Sequence, residues 1–439
     1  MHEILWYLTV GTVLMGMGIV ASALRHLPIS AAMIYLALGA ALGPAGIGLL
    51  RLDIERDARL LRIVVEIALL VSLFAIGLRL RVPLSDRLWL VPCRLGLLAM
   101  ALTVPLLAAC AMLALGLGWG PALLLAAILA PTDPVLAHDV QVRDPGDRDL
   151  VRFALSGEGG MNDGIALPFA LAGLALCGAP AATHGLPPLS AAFGLAVLWG
   201  IAGAAAIGGG LGWSATKMIG WLRTRHAQAL GLEGFFALAL IVLSFGAAQL
   251  AQTFGFIATF AAGVAMRRVE HRASGERAPR EVIGQIDSGD VVATEKHPGK
   301  AHAFMAETVL GFTIELERIA EALVMTMVGS VLATLPGPLV TWRNAALAIA
   351  LLAAVRPLAV QLALAGSRAT HTQRRLMAWF GIRGIGSFYY LLFALEHGPA
   401  DAVRPLAAPT LAAISASVIA HGLSATPLMK WYHRLPHRR

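Results

Sequence analysis

The chain has 439 residues, 58% of them hydrophobic and 14% charged, with a mean hydropathy of +0.74. So few charges cannot cover the surface of a soluble protein of this length, which excludes a soluble globular class and leaves an integral membrane protein. The formal net charge of +8 then belongs to loop arginines that orient helices in a bilayer, and not to a nucleic-acid surface.

From Met1 the sequence enters an apolar stretch with no basic n-region and no small-residue cleavage site, so it reads as a first span and not a signal peptide. A helix needs about 20 apolar residues to cross the hydrocarbon. By that measure there are thirteen spans, near 4–24, 29–50, 60–80, 88–116, 119–141, 150–178, 189–212, 230–251, 255–266, 305–335, 344–364, 376–395 and 403–428. Cys93, Cys110 and Cys177 all fall inside spans, which gives no metal-ligand spacing and no reason for a disulfide. If the thirteen spans alternate, 24 Lys and Arg lie on the side that carries the C-terminus and six on the other. The positive-inside rule then puts the N-terminus outside and the C-terminus in the cytoplasm of a bacterial inner membrane. The whole chain, 1–439, reads as one transmembrane domain. Residues 267–304, rich in Arg, Glu, Asp and His, form a charged cytoplasmic loop within it. The loop's His271, His297 and His302 suit a pH sensor, but a solvated connector with incidental histidines is the preferred reading.

An ionisable side chain at the bilayer centre costs about 2.5–3.5 kcal/mol on insertion scales, so each one inside a span is a functional candidate. They are Glu66, Arg94, Asp133, Glu158, Asp163, the cluster from Glu315 to Glu321, Arg356 and Arg383. Asp133, Asp163, Arg356 and Arg383 fall near the middle of spans five, six, eleven and twelve, as residues lining one site would. In span five, LAAILAPTDPVLAHDV, Pro131 and Pro134 flank Thr132 and Asp133 and should break the helix. In span twelve, WFGIRGIGSFYYLLF, Gly381, Gly384 and Gly386 surround Arg383. Spans five and twelve are seven apart, and a pair of interrupted helices at corresponding places in two inverted repeats marks the substrate site of a secondary transporter. In span six, LSGEGGMNDGIALPF, Glu158 and Asn162 share a helix face with Asp163 one step round. A midplane carboxylate beside free carbonyls, Thr132 and Asn162 can hold a proton or a hard monovalent cation, and the two compete. Arg356 needs an acidic partner at its depth, and Glu158 is the first candidate. Arg383 suits the crossing of the broken helices, where it would offset half-helix C-terminal charge. Glu66 is a second possible partner for either arginine. Glu317, Arg318 and Glu321 are spaced to pair along one helix.

These residues resemble the monovalent cation:proton antiporter-1 family of sodium/proton exchangers. The resemblance rests on the TDP of Thr132, Asp133 and Pro134, on the glutamate four residues before ND (Glu158, Asn162 and Asp163), on the GIRG of Gly381 to Gly384, and on Arg356. It implies an all-α fold of about thirteen transmembrane helices in two inverted repeats, with helices five and twelve discontinuous and with separate core and dimerisation regions. It also implies a homodimer, an elevator-like movement, and Asp163 as the ion and proton carrier helped by Asp133, Thr132 and Asn162. The related electrogenic branch has two aspartates where this chain has Asn162 and Asp163, so the resemblance implies electroneutral exchange of one Na+ (or Li+) for one H+. No cofactor is implied beyond the transported ions. One departure is SLFAIGLRL, which puts Ala75 where many relatives have an acidic residue. Exchange of K+ for H+ fits the same residues. An intramembrane aspartyl protease using Asp133 and Asp163 is a remote alternative, since the sequence has no GxGD motif. Zinc proteolysis lacks an HExxH.

Overall fold

The computed structural model describes residues 11, 15, 29–136, 140–142, 144–188, 190–226, 228–284, 291–335 and 337–435. Among them the structure is all-helical. The main helices are α1 (Ala31–Leu42), α2 (Ala58–Arg79), α3 (Arg87–Leu115), α4 (Trp119–Leu129), α5 (Leu150–Leu176), α6 (Ala191–His226) and α7 (Glu233–Leu250). They continue with α8 (Gly255–Ser274), α9 (Ala301–Val331), α10 (Trp342–Ala363), α11 (His371–Trp379), α12 (Ile385–His397) and α13 (Ala400–Arg434). Every span expected from residue 29 onward has a helix at its place, whereas 4–24 lies almost entirely outside the described residues. Six of these helices (α2, α3, α6, α7, α10 and α13) are long and apolar enough to cross a membrane by length and composition alone.

Local sequence sets the helix starts. Asp149 accepts the Val151 and Arg152 amides at the head of α5, Thr341 accepts the Asn344 amide at the head of α10, and Thr370 and Gln373 form a capping box at α11. Spans five and twelve are interrupted: α4 ends before an irregular stretch containing Pro131 to Asp133, and an irregular stretch, 380–384, separates α11 from α12. A second correspondence, which hydropathy does not reveal, joins spans four and eleven. Each contains a π-helical stretch, at Arg94–Ala99 in α3 and at Ala350–Val355 in α10. In α10 the π turn runs straight into Arg356 and Pro357, where proline cannot donate the next backbone bond.

The helices pack as two bundles. Helices α3, α4, α5, α10, α11, α12 and α13 form one, the core. Helices α1, α2, α6, α7, α8 and α9 form the other, the scaffold. Within the scaffold small residues bring backbones together: side chains on Gly208 and Gly212 of α6 would run into the backbone of Ala258 and Ala262 of α8. The bundles meet where α2 packs on α12 and α8 packs on α5.

Two expectations change. Most of 267–304 is helical: α8 runs on to Ser274, short helices follow at Pro279–Ile283 and Val291–Lys296, and α9 begins at Ala301. Burial, then the nearby Arg81, push the His271 imidazole below its ordinary value, and burial and Lys217 do the same to His302. Both are therefore neutral at neutral pH and gain charge only in acid. Glu317 does not pair along its own helix. It is buried against Arg79 of α2 and accepts the Ser72 hydroxyl, while the exposed Arg318 pairs with Glu315.

Removing one partner of a buried ion pair costs about 3–5 kcal/mol, because the other charge is left uncompensated. Glu317→Ala is therefore expected to lower the thermal midpoint in detergent more than the double change Arg79→Met with Glu317→Leu does. Scanning fluorimetry of the three proteins checks the order.

Candidate functional site

The two interrupted helices cross at the centre of the core, and each satisfies the other's broken backbone. The Asp133 amide donates to the Ile382 carbonyl at 2.8 Å. Its carboxylate accepts the Val135 amide on Oδ1 and the Ile385 amide on Oδ2, each at 3.0 Å. Asp133 thereby caps the N-terminus of α12 with a negative charge. Arg383 does the converse for α4, its Nη1 donating to the Ala130 carbonyl at 2.5 Å and the Pro131 carbonyl at 2.8 Å. Its own amide donates to Ser417 Oγ of α13 at 2.7 Å. Arg383 is wholly buried and meets carbonyl groups, not a carboxylate.

Glu158 and Arg356 form a buried ion pair joining α5 to α10. Nη2 of Arg356 donates to Oε2 at 2.8 Å, and Nη1 reaches Oε1. The same Nη2 donates to the Met377 carbonyl at 3.2 Å, one of the carbonyls left open where α11 stops. Gly381 makes room for this arginine, since a side chain there would strike its aliphatic stem. His421 of α13 also reaches the end of α11, Nε2 lying 2.8 Å from the Trp379 carbonyl, which accepts the Gly381 amide as well.

Asp163 sits one residue from Asn162 on α5. The Asn162 amide donates to Thr132 Oγ1 at 2.7 Å and to the Thr132 carbonyl at 3.2 Å. Tyr390 of α12 donates its hydroxyl to the Asp163 backbone carbonyl. Both carboxylates abut one turn of backbone: the space where Gly384 would carry a Cβ faces Asp133 Oδ2, and that of Gly386 faces Asp163 Oδ1. Thr132, Asp133, Asn162 and Asp163 are all at most 8% exposed. Within this cluster Asn162 Oδ1 and Asp163 Oδ1 are sealed from solvent and have no hydrogen-bond donor. A buried acceptor without a donor is costly, and a buried carboxylate more so. A proton or a cation removes that cost.

Residues 10–431 match the family described as "Sodium/hydrogen exchanger, transmembrane". The chain belongs to the sodium/hydrogen exchanger family. It is thus an integral membrane protein of a transporter family. The fold is similar to that of the sodium proton antiporter MjNhaP1 from Methanocaldococcus jannaschii in its structure at pH 8, with a TM-score of 0.72 at 19% identity, covering 98% of this chain and 99% of that one. The electron-microscopy structure of the same antiporter gives a TM-score of 0.70 at 18% identity, covering 99% of each chain. Comparison with curated proteins gives no match.

Of the residues that the sequence singles out, six converge on the crossing: Thr132, Asp133, Asn162 and Asp163, with Arg383 behind them and Gly386 in front. Glu158 and Arg356 brace the neighbouring helices. Glu66 joins neither arginine; it pairs with Arg62 at 3.1 Å and accepts the Tyr389 hydroxyl at 3.2 Å. Ser417, His421 and Tyr390 also bond to residues at the crossing yet carry no motif. The available signal for the first two is a serine and a histidine four apart on one face of an apolar helix.

Arg356→Ala leaves Glu158 charged and unpaired, so it is expected to reduce folded yield and thermal stability by the equivalent of several kcal/mol. Adding Glu158→Gln should restore part of the loss. Size-exclusion yield and thermal midpoint check both; a double variant no better than the single one shows that the two side chains do not support each other.

Proposed function

We propose that the protein is a secondary transporter that exchanges Na+, and also Li+, for H+ by alternating access, with Asp163 as the carrier of either ion. The observation that carries this reading is the unpartnered, sealed carboxylate oxygen of Asp163 beside the unpartnered Asn162 oxygen, at the crossing of two broken helices. Membership of the exchanger family supports the exchange of a cation for a proton. A partly dehydrated monovalent cation would take oxygen ligands from Asp163, Asn162 and Thr132, with Asp133 holding the crossing in shape. Protonation of Asp163 expels it, and loss of the proton restores the site.

The stoichiometry follows from which charges are free. Both Asp133 oxygens accept backbone amides, and both Glu158 oxygens face Arg356. Asp163 alone in the cluster has an uncommitted carboxylate oxygen, which supports one proton for one monovalent cation and no net charge moved. The same commitment of Asp133 argues against a protease dyad, in which two carboxylates share one proton. The seam next to Asp163 supports movement of the core. There α5 meets α8 through Gly160 against Phe260 and Gly164 against Ile257, contacts that can slide. The exposed apolar side chains of α6 and α7, among them Leu195, Trp199, Phe235 and Leu243, suit lipid and a second copy of the chain. The C-terminal face is assigned to the cytoplasm of a bacterial inner membrane by its excess of Lys and Arg.

In proteoliposomes carrying a pH-sensitive dye, pulses of Na+ and of Li+ are expected to move protons and K+ is not. A K+ response keeps Asp163 but reassigns the role to potassium. Asp163→Asn is expected to abolish the response while elution and thermal midpoint stay close to the parent; retained exchange sinks the assignment. Gly386→Ala places a methyl against the Asp163 carboxylate and is expected to slow exchange by at least about tenfold, since small misplacements at a tight site are costly. The initial rate of the same dye signal measures it.

A further inference from the structure

The core carries a groove that the exchange site does not use. Thr372, Arg375, Leu376 and Trp379 of α11 and Leu428 and Trp431 of α13 enclose about 320 Å3. It lies at the end of a membrane-facing stripe: Ile419, Leu423 and Trp431 are 47%, 48% and 49% exposed, and Pro427, also exposed, continues the four-residue spacing. At about 1.5 Å per residue the stripe is roughly 18 Å long, a little more than half of the ~30 Å hydrocarbon. It therefore covers one leaflet and ends, at Trp431, where that leaflet meets water.

The carboxylates nearest that end are already committed: Asp149 accepts the Tyr432 hydroxyl and the Val151 and Arg152 amides, and Asp147 pairs with Arg152. Segments 366–375 and 427–435 contain Arg368, Arg374, Arg375, Lys430 and Arg434 and no Asp or Glu. Arg374 is occupied by the Ala369 and Ser367 carbonyls. Arg375 and Lys430 are exposed and have no ion-pair or hydrogen-bond partner among the described residues. Four of the six lining side chains are apolar or indole, so a free inorganic anion would leave most of the groove unfilled. With Asp147 and Asp149 so engaged, no uncommitted carboxylate faces the ammonium of a zwitterionic headgroup.

We propose that this groove holds an anionic phospholipid of the leaflet on the C-terminal face. Its phosphate sits at Arg375 and Lys430, Trp379 and Trp431 flank the glycerol, and the acyl chains follow Leu428, Leu423 and Ile419. The site is on the core, whereas the exposed apolar faces of α6 and α7 belong to the scaffold.

The test is native mass spectrometry of the full-length protein in detergent with phosphatidylglycerol, phosphatidylcholine or inorganic phosphate. Phosphatidylglycerol adducts are expected to survive activation and phosphatidylcholine adducts to be lost. Arg375→Ala with Lys430→Ala is expected to weaken phosphatidylglycerol binding by about thirtyfold, the loss of two basic contacts at a membrane surface. Arg343→Ala, an exposed arginine on the opposite face, should not. Trp431→Ala keeps both charges and should still weaken retention, which separates a lipid from a bare charge effect. Unchanged phosphatidylglycerol retention in the double variant, equal retention of phosphatidylcholine by the parent, or displacement of the lipid by inorganic phosphate each overturns the proposal. A thermal midpoint in phosphatidylcholine equal to the parent's shows that the variants are folded.

Discussion

The structure depends on one constraint: at the depth of the hydrocarbon no water is present to receive a broken helix, and each unsatisfied backbone group costs several kcal/mol. This chain breaks two helices at that depth. It satisfies the constraint by making each break the other's partner. The Asp133 amide meets the Ile382 carbonyl, the Asp133 carboxylate takes the Ile385 amide, and Arg383 takes the Ala130 and Pro131 carbonyls. The charges match the dipoles, with an anion at the N-terminal end of α12 and a cation at the C-terminal end of α4. The glycines of span twelve follow from the same geometry. A side chain at Gly381 would strike Arg356, one at Gly384 would strike Leu136 and Asp133, and one at Gly386 would strike Asp163.

Charge is then distributed so that one carboxylate is left over. Asp133 is matched by Arg383 through the crossing, and Glu158 by Arg356 directly. Neither pair is free to take up a transported ion without giving up backbone or side-chain bonds that hold helix ends in place. Asp163 bears no such duty on its side chain; only its backbone carbonyl is claimed, by Tyr390. In a low-dielectric interior a lone carboxylate is far more sensitive to a proton or a cation than a paired one. The surrounding pairs therefore do more than stabilise the fold. They leave Asp163 with the one uncommitted carboxylate oxygen at the crossing.

Much of this was legible in the sequence, for identifiable reasons. Membrane spans are long and chemically uniform, so hydropathy located their helices from residue 29 onward. The TDP, ND and GIRG clusters stood out because charges, prolines and glycines are rare inside apolar runs. What escaped lacked such contrast. The π turns of α3 and α10 come from apolar residues and leave no compositional mark. Ser417 and His421 lie in an ordinary apolar helix, and only the fold brings them to Arg383 and Trp379. The partner of Glu317 was missed because spacing favours neighbours on the same helix, while Arg79 is 238 residues away in sequence and next to it in space. The helical character of 267–304 was hidden by polarity, which marks solvent more reliably than it marks irregular backbone.

The ties between core and scaffold suggest how such a site is opened. Arg62 of α2 reaches Glu396 of α12 at 2.5 Å, Glu66 accepts the Tyr389 hydroxyl, and Arg404 of α13 meets Glu55 at 3.0 Å. All three join the two bundles on the face opposite the C-terminus, at side chains between 17% and 54% exposed for the ion pairs. The exposed Arg404–Glu55 pair is individually weak, about 0–1 kcal/mol. Nearer Asp163 the bundles touch through glycine against Phe260 and Ile257, with nothing to break but dispersion contacts. The seam thus carries polar ties at that rim, apolar packing in its middle and one buried tie, Arg79 of α2 donating to Gln141 between α4 and α5 at 2.9 Å, that has to be exchanged as the bundles slide. The buried pairs inside each bundle, Glu158 with Arg356 and Glu317 with Arg79, keep the two bodies rigid as they slide. The proposed alternating access needs this ordering: firm within each bundle, exchangeable between them.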